Sequence, residues 1–371
     1  MDDLMPAPGQ RRGQRWEEPL RAAPDLGPAE CVSEGDSHGG QRRALLPGGG
    51  AILLPAMLKA SVIVPARDAS ATLPRTLAAL VAQQLDGDYE VIVVDDGSRD
   101  GTADCARAAP GVQLVSQPAL GPAAARNAGI QVARAPALAF CDADVFPSSG
   151  WLAAGLSALK HLDVVQGKVL PDPDAALGPF DRTIWITSEV GLFETANLFV
   201  RRETLAGVGG FEEWIRPRRG KALAEDVWFG YRALRGGARS GFCAEALAHH
   251  AVFPRSWPGY VAERARLRFF PAMADKMPEL RRRFLFRRVF LNPRSARFDL
   301  AVAAGATAAA RRSVLPLVGA LPYLRVVARD AARAPAGVAP RPGVAAADVA
   351  ADVVGLAAML SGSVRYRSPV I

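Results

Sequence analysis

The sequence predicts an α/β fold in which a doubly wound, mostly parallel sheet is flanked by helices and followed by a basic, helical C-terminal extension. Three observations predict this fold. Short apolar runs alternate with helical patterns between about residues 57 and 250, as in sheets whose strands are buried on both faces. From about residue 258 the pattern is helical to the last residue. The excess positive charge is confined to the same final third.

The predicted strands and helices follow one another in the order of repeated βαβ units. Apolar runs predict strands at 61–64, 91–94, 112–115 and 138–141, with later strands near 164–169 and 196–200. Helical patterns predict helices at 73–81, 103–109 and 123–133. Because parallel strands end at the same edge of a sheet, polar residues that follow these strands are the candidates for a binding site.

Composition divides the chain into three regions. Residues 1–56 are rich in Gly, Pro and Gln and lack periodicity, which predicts a disordered N-terminal extension with Met57 as an alternative translation start. Residues 57–254 are expected to form the α/β domain, and residues 255–371 are expected to form the basic helical region.

The formal net charge of +8 is unevenly distributed along the chain. Residues 1–56 carry −2, residues 57–250 carry −3 and residues 251–371 carry +13. A hydrophobic fraction of 50% excludes a wholly disordered chain. The four cysteines lack metal-binding spacing and no run of 18 uncharged apolar residues occurs, so we expect a cytoplasmic protein without a membrane span.

The first acidic cluster follows the predicted strand at 91–94. Asp95 and Asp96 are succeeded by Gly97, which permits a tight turn, and by Ser98. Carboxylates at a strand end can accept hydrogen bonds from a ribose hydroxyl or a base N–H. The alternative is a helix N-cap, because Asp and Ser are usual capping residues.

The second acidic cluster consists of Asp142 and Asp144, which follow the predicted strand at 138–141. Two carboxylates at this spacing can both reach one hard divalent cation, Mn²⁺ or Mg²⁺. Such a cation would neutralise a pyrophosphate leaving group. The alternative is a solvated turn.

The third acidic cluster, Glu225 and Asp226, begins an amphipathic helical pattern. Acidic residues are stabilised at a helix N-terminus by the helix dipole, which is the structural interpretation of the pair. The functional interpretation is a general base for an acceptor hydroxyl, and we expect the dipole to keep its carboxylate ionised.

Six segments between Met57 and His250 occur together in one order. They are SVIVPARD at 61–68, VVDDGSRDGT at 93–102, GPAAARNAG at 121–129, DAD at 142–144, Ala196-Asn197 with GGF at 209–211, and Glu225-Asp226. In type and order these segments resemble the motifs of the family 2 glycosyltransferases. The resemblance implies a GT-A fold and inverting transfer of a sugar from a nucleotide-sugar donor to an acceptor hydroxyl, in cell-envelope or polysaccharide synthesis.

The resemblance implies donor-binding roles for five residues before position 145. Pro65, Ala66 and Asp96 would line the site of the nucleotide base. Arg126 would lie near the base and the diphosphate, and Asp142 would face the ribose.

The resemblance also implies where the chemistry takes place. Asn197 would begin the wall around the donor sugar and the acceptor, and Asp226 would deprotonate the acceptor. Asp144 would bind the metal together with His250, for which the neighbouring His249 is an alternative.

Two segments differ from the family pattern or extend it. Arg67 and Asp68 stand where an aromatic residue followed by Asn is usual, which adds charge near the nucleotide. Segment 212–224 contains four basic residues, namely Arg216, Arg218, Arg219 and Lys221. We interpret this segment as a mobile loop, either solvated, or closing over the diphosphate, or binding an anionic acceptor.

The C-terminal region combines basic and aromatic residues. Between 255 and 297 there are 12 Lys or Arg against 3 acids, interleaved with Phe269, Phe270, Phe284, Phe286 and Phe290. This pattern favours peripheral binding to an anionic membrane surface, as a lipid-linked acceptor would require. The alternative is a basic helical cap packed on the α/β domain. Nucleic acid is not an expected partner, because no reader motif accompanies the charge.

Two other functions are compatible with an α/β sheet that carries acidic clusters. A catalytically silent module that binds nucleotide-sugars or polyanions is disfavoured by the presence of both Asp144 and Asp226. A nucleotidyltransferase would show a phosphate loop rich in Gly, Arg and Lys after the first strand, where this chain has PARD at 65–68.

Overall fold

A computed structural model describes residues 43–45, 51–53, 58–215, 217, 223–333 and 341–371. The described residues divide into two units. The sheet unit lies within 25–173 and 185–251, and the helical unit contains 174–184 and the described residues from 252 onward.

The strands follow one another along the chain with short helices between most of them. They are β1 (Arg43–Leu45), β2 (Ala51–Leu53), β3 (Ala60–Ala66), β4 (Tyr89–Asp96), β5 (Val112–Gln117), β6 (Ala137–Cys141), β7 (Val145–Pro147), β8 (Val164–Pro171), β9 (Asn197–Arg201) and β10 (Ser240–His250). The helices of the sheet unit are α1 (Leu73–Val81), α2 (Thr102–Ala108), α3 (Pro122–Val132), α4 (Trp151–Ala158), α5 (Arg202–Val208) and α6 (Glu225–Arg235).

Eight strands form one mixed, mostly parallel sheet in the order β5-β4-β3-β6-β9-β8-β10-β7. Strand β9 runs antiparallel to both β6 and β8, and β7 runs antiparallel to β10. The remaining neighbours pair in parallel. The strands β3, β4, β6, β8 and β10 therefore point the same way, and their carboxyl ends share one edge of the sheet.

The central strands are buried on both faces because helices pack on each side of the sheet. The side chains of residues 60–64 in β3 and 90–96 in β4 are buried. Helix α3 approaches especially closely at Gly129, where an added Cβ would lie 2.5 Å from Ile63 Cγ2. This glycine is needed for close packing and not for an unusual backbone conformation.

The α/β fold predicted from the sequence is confirmed, with differences in detail. Strands β3 to β6, β8 and β9 and helices α1 to α3 correspond to the predicted ones. The edge strand β7 and the long strand β10 were not predicted. Strand β10 escapes the apolar pattern because its burial is irregular and its register with β8 shifts between Cys243 and Leu247.

The predicted disorder of residues 1–56 falls mostly outside the described residues. Within that stretch only β1 and β2 are described, and they pair antiparallel with each other. The predicted loop at 212–224 has four basic residues that also lie outside the described residues, namely Arg216, Arg218, Arg219 and Lys221.

The helical unit consists of helices and short connections. Its helices are α7 (Trp257–Glu263), α8 (Phe270–Lys276), α9 (Leu280–Arg283), α10 (Pro293–Arg311), α11 (Leu321–Arg333) and α12 (Arg341–Tyr366), with 3-10 helices at Arg264–Phe269 and Leu315–Ala320. Segment 174–184 joins this unit through a β-bridge between Arg182 and Phe253. This bridge joins residues that are far apart in the chain, and no pattern in the sequence predicts it.

One helix in the described residues, Pro342–Tyr366, is long and apolar enough by length and composition to cross a membrane, and a third of it is buried inside the protein. The sequence prediction of no span rested on uninterrupted apolar runs, which Asp348 and Asp352 break. Both carboxylates are bound inside the helical unit, Asp348 by the Tyr260 hydroxyl and Asp352 by Arg294. These contacts favour a core helix of this unit.

Candidate active site

The predicted site residues gather at the edge of the sheet where β3, β4, β6 and β10 end. Pro65 and Ala66 end β3, and Ala66 pairs with Asp95 of β4. Asp142 and Asp144 follow β6, and His250 is the last residue of β10. A parallel arrangement therefore brings together groups that are separated by up to 185 positions in the chain.

Asp96 is buried at the end of β4 and holds the following loop in place. Its carboxylate accepts hydrogen bonds from the backbone N–H groups of Leu120 and Gly121, at 2.8 and 3.0 Å, and from the Gln117 side chain at 2.7 Å. The Arg67 guanidinium lies 3.7 Å from the same carboxylate. The extra charge predicted near the nucleotide is thus beside Asp96, and the base-binding role of Asp96 stays a prediction.

The Asp95 to Ser98 turn is not the N-cap of the next helix. Helix α2 begins at Thr102, and Asp100 accepts a hydrogen bond from the Thr102 backbone N–H at 3.0 Å. Gly97 has φ +70°, and an added Cβ would lie 2.8 Å from the Ala119 backbone. The turn instead links two loops of the edge, because Ser98 Oγ accepts a hydrogen bond from the Asp68 backbone N–H.

Arg126 connects two of the acidic clusters. It is buried on α3, donates to Asp142 Oδ1 and to Glu225 Oε1, both at 3.1 Å, and lies over the Phe211 ring. Burial alone would lower the pKa of this guanidinium, but Asp142, Glu225 and Asp226 together raise it. A fixed positive charge therefore stands between the end of β6 and the first turn of α6.

Asp226 lies in the first turn of α6 and is almost fully buried. Burial, followed by the negative charge of Glu225, raises the pKa of Asp226 to about 8, although Arg126 and the Val227 backbone N–H oppose the shift. The helix dipole, which we expected to keep this carboxylate ionised, is opposed by the larger effect of burial on its pKa. A dipole contributes about 0.3–1 kcal/mol, whereas loss of hydration moves a buried carboxyl by several pKa units.

Asp144 and His250 form the candidate metal position. The distance between Asp144 Oδ2 and His250 Nε2 is 3.5 Å, and the His250 side chain is buried. His250 Nδ1 lies 2.6 Å from the Ala251 carbonyl oxygen, which can only accept, so this contact places a proton on Nδ1 and leaves Nε2 as the ring nitrogen that faces Asp144. His249 neighbours His250 on a strand and so points to the opposite face, which selects His250 over His249.

The residues present fit a small divalent cation. Two ligands at adjacent positions of an octahedral ion lie about 3 Å apart when each bond is about 2.1 Å, close to the observed separation of Asp144 and His250. A carboxylate oxygen and a ring nitrogen without a proton repel each other unless a cation or a proton lies between them. The described residues contain no group of three His, Cys, Asp or Glu that could hold a metal alone, so substrate oxygens would complete the shell.

The donor-wall role predicted for Asn197 is not supported by its position. Its Nδ2 donates to the carbonyl oxygens of Lys168 and Ala246, at 2.9 and 2.8 Å, and its Oδ1 accepts from Trp151 Nε1 at 2.8 Å. Both amide hydrogens are used inside the sheet, and the side chain is fully buried. Asn197 pairs with Cys141 at the end of β6, but its side chain joins strands β8 and β10 to helix α4.

Sequence reasoning overlooked Asn127 and Glu225 as organising residues. The Asn127 side chain donates to the Phe211 carbonyl oxygen and accepts from its backbone N–H, each at 2.8 Å. A Cβ on Gly210 would lie 2.3 Å from Asn127 Oδ1, which explains why glycine precedes Phe211. Arg126 and Asn127 are neighbours in one motif of the sequence. Their partners Glu225 and Phe211 lie 99 and 84 positions away, respectively.

Comparisons with known proteins agree with this architecture. The profile of the family described as Glycosyl transferase family 2 matches residues 61–211. Glycosyltransferase AglE of Haloferax volcanii is 30% identical over 210 residues, covering 52% of this chain and 67% of AglE. Pre-mycofactocin glycosyltransferase of Mycobacterium tuberculosis is 28% identical over 218 residues, covering 53% of this chain and 43% of that protein. The chain therefore spans less than half of the second relative.

Among solved structures, the mannosyltransferase PcManGT from Pyrobaculum calidifontis in complex with GDP-Man and Mn²⁺ has a TM-score of 0.49 and 19% identity. The match covers 84% of this chain and 87% of PcManGT. S. aureus TarS 1-349 in complex with UDP-GlcNAc has a TM-score of 0.45 and 16% identity, covering 84% of this chain and 93% of that one. Likeness at this level carries no conclusion about donor, metal or acceptor.

Proposed function

The chain belongs to glycosyl transferase family 2, and we propose that it is a metal-dependent inverting enzyme that moves a sugar from a nucleotide-sugar to an acceptor hydroxyl. The observation that carries the proposal is the convergence of Asp142, Arg126, Glu225 and Asp226 in one chain of contacts beside the Asp144 and His250 pair. Carboxylates that could bind a donor and a carboxylate that could accept a proton thus lie at the same edge of the sheet.

In the proposed reaction the acceptor oxygen attacks the anomeric carbon, and the bond from that carbon to the diphosphate oxygen breaks. The acceptor proton passes to a carboxylate oxygen of Asp226. Asp226 must be ionised to accept this proton. Its raised pKa lowers the fraction of enzyme molecules in which Asp226 is ionised, but it makes the ionised carboxylate a stronger base. One base and no second acid is what single displacement with inversion requires.

Two groups would meet the negative charge that develops on the leaving diphosphate. The Arg126 guanidinium is held by Asp142 and Glu225, so it cannot turn away from the edge without breaking both ion pairs. Asp144 and His250 would hold Mn²⁺ or Mg²⁺, which supplies Lewis-acid stabilisation of phosphate oxygens when bound. A preorganised charge of this kind lowers a barrier because it needs no reorientation during the reaction.

The proposal also covers the acceptor and the location of the enzyme. We propose a sugar or lipid-linked acceptor at the cytoplasmic face of a membrane with anionic lipid, in cell-envelope or polysaccharide synthesis. The +13 charge of residues 251–371 supports the anionic surface. Cys105 and Cys141 are free thiols, which are typical of a reducing compartment.

The base assignment is tested by Asp226→Asn in an assay of transfer from a panel of UDP- and GDP-sugars with Mn²⁺ and Mg²⁺. We expect the transfer rate to fall at least 100-fold, because general-base catalysis contributes about 10²–10⁴-fold, while nucleotide binding by calorimetry changes little. Asp104→Asn, on the exposed face of α2, is the matched control. Transfer at the wild-type rate by Asp226→Asn would refute the assignment.

The cation site is tested by Asp144→Ala and His250→Ala in titrations of UDP and GDP with and without Mn²⁺. We expect each variant to lose the Mn²⁺-dependent part of nucleotide affinity and to keep the Mn²⁺-independent part, because only the cation ligands are removed. Unchanged Mn²⁺ dependence in both variants would contradict the site. Tight Mn²⁺ and nucleotide binding without turnover of any donor would instead favour the silent binding module.

A further inference from the structure

The helical unit carries a concentrated exposed apolar surface. Fourteen large apolar side chains are exposed in the described part of the chain, and eight of them lie between residues 300 and 324. The α10–α11 apolar surface consists of seven of these, namely Leu300, Val314, Leu315, Leu317, Val318, Leu321 and Leu324. Val302 is two residues after Leu300 on α10 and therefore lies on another side of that helix. Such clustering exceeds the scattered exposure of single apolar residues that is normal on soluble proteins.

This surface is held in a defined shape by contacts on its inner side. The 3-10 helix Leu315–Ala320 has no buried residue, yet a Cβ on its Gly319 would lie 3.1 Å from Ala304 Cβ of α10. Tyr323 of α11 points inward, where its hydroxyl donates to Asp352 Oδ2 at 2.7 Å. The aromatic residue therefore anchors the segment, and the aliphatic residues Val314 and Leu315 remain 81% and 76% exposed.

The charged residues within the segment that carries this surface are all arginines, and Asp299 and Asp330 flank the segment. Residues 300–329 contain no Asp or Glu and four arginines, Arg311, Arg312, Arg325 and Arg329, all of which are exposed. On α11 the outward stripe continues from Leu321 and Leu324 to Arg325 and Arg329, at the three- and four-residue spacing of one helix face. An apolar centre with an arginine border is the pattern of helices that lie at a lipid interface.

We propose that the α10–α11 apolar surface inserts into the interface of an anionic lipid bilayer, with the four arginines contacting lipid phosphates. This narrows the proposed membrane association to one surface, and it rests on that part of the proposed function. A second copy of the chain fits less well, because a twofold contact through this surface would bring arginines against arginines with no acid in the segment to pair them.

The same structure argues against the surface that the sequence predicted. None of the five phenylalanines between 269 and 290 is an exposed residue, and Phe270 is fully buried. The rings of Phe270 and Phe284 stack with centroids 5.5 Å apart. These aromatics pack the helical unit, so the basic residues between them lack the apolar anchor that insertion needs.

The test is flotation of the purified full chain with vesicles of phosphatidylcholine alone or with a third phosphatidylglycerol. We expect wild type to float only with the anionic vesicles at low salt. Leu315→Ser with Val318→Ser should weaken binding at least tenfold, since two inserted aliphatic side chains are lost. Arg311→Glu with Arg325→Glu should weaken it at least tenfold at low salt and flatten its salt dependence.

Matched controls separate this surface from general apolarity and charge. Val81→Ser removes an exposed apolar residue from α1, and Arg107→Glu with Lys160→Glu makes the same charge change outside the helical unit. Wild-type flotation is expected for both controls. Equal flotation of the surface variants and wild type, or no flotation of wild type, would overturn the proposal.

Two further measurements complete the test. Sedimentation velocity measures self-association of the chain. A wild-type dimer that is absent from Leu315→Ser with Val318→Ser would overturn the proposal in favour of self-association. Turnover of donor with a water-soluble acceptor is measured on every variant and should equal wild type. Loss of turnover in the wild type would point to failure of the proposed chemistry, independently of membrane binding.

Discussion

At the residue scale, the candidate site depends on the ion-pair partners of its charged side chains. The Arg126 side chain is buried and donates hydrogen bonds to both Asp142 and Glu225, which fix its orientation. Glu225 in turn acts on its neighbour, because its charge is the second cause of the raised pKa of Asp226. The acidity of the proposed base thus depends on burial first and then on a neighbouring residue that need not touch the substrate.

A pH profile of kcat/KM tests this coupling. In free enzyme Asp226 has its pKa raised to about 8, so it is protonated and inactive as a base below that pH, and kcat/KM should rise with pH through an inflection near 8. Glu225→Gln removes the negative neighbour and should move the inflection to lower pH. The measurement is the rate of transfer at subsaturating donor over pH 5 to 9.5.

The control for the pH profile is Glu203→Gln, an exposed carboxyl at the start of α5. It should leave the inflection where wild type has it. An inflection near pH 4 in wild type, or an unchanged one in Glu225→Gln, would contradict the electrostatic account of Asp226.

At the element scale, helix α3 connects sheet packing to the site. Gly129 lies one turn after Arg126 on the same buried face, and its missing side chain lets the helix approach Ile63 and Val94. Any displacement of α3 from the sheet also displaces the Arg126 guanidinium. The GPAAARNAG segment therefore encodes both a close helix contact and the position of a charge.

Gly129→Ala tests this dual role. The added methyl group would lie 2.5 Å from Ile63 Cγ2, and overpacking of a dense core destabilises by about 1–3 kcal/mol. We expect a lower free energy of unfolding in urea together with weaker nucleotide binding. Gly150→Ala, at a position with no atom within 4 Å of the added Cβ, should change neither quantity. Stability at the wild-type level in Gly129→Ala would show that α3 can shift without loss.

At the scale of the whole molecule, charge is handled differently in the two units. The sheet unit concentrates acids at one edge, whereas the helical unit buries Arg294 of α10 between Asp330 of α11 and Asp352 of α12, at 2.8 Å from each. Burial disfavours this charge, but Asp352 and its neighbours raise the pKa of Arg294 enough to keep it protonated. One side chain thereby ties three helices together.

Arg294→Met tests how strongly this tie stabilises the helical unit. Removing one partner of a buried ion pair leaves Asp330 and Asp352 uncompensated, which destabilises by about 3–5 kcal/mol. The readout is the urea unfolding midpoint of the full chain. Arg297→Met, an exposed position on the same helix, is expected to change it by less than about 0.5 kcal/mol. A similar midpoint for the two variants would refute the role of Arg294.

Much of the fold and part of the site could be predicted because their signals are local. Apolar runs located β3 to β6, and the acids after those strands predicted the edge that Asp96, Asp142 and Asp144 occupy. The contacts of the Asn197 side chain could not be predicted in the same way. Its amide is satisfied by Lys168, Ala246 and Trp151, which are between 29 and 49 positions away.

The order of residues alone established the class of fold, the family motifs and the confinement of positive charge to the final third, since each is encoded in neighbouring residues. The folded arrangement was needed to establish that His250 and not His249 faces Asp144, that Asp226 loses its hydration, and that eight of the fourteen exposed large apolar residues in the described part of the chain lie between 300 and 324. The physical reason is that burial and ion pairing depend on groups far apart in the chain, and their energies exist only once those groups meet.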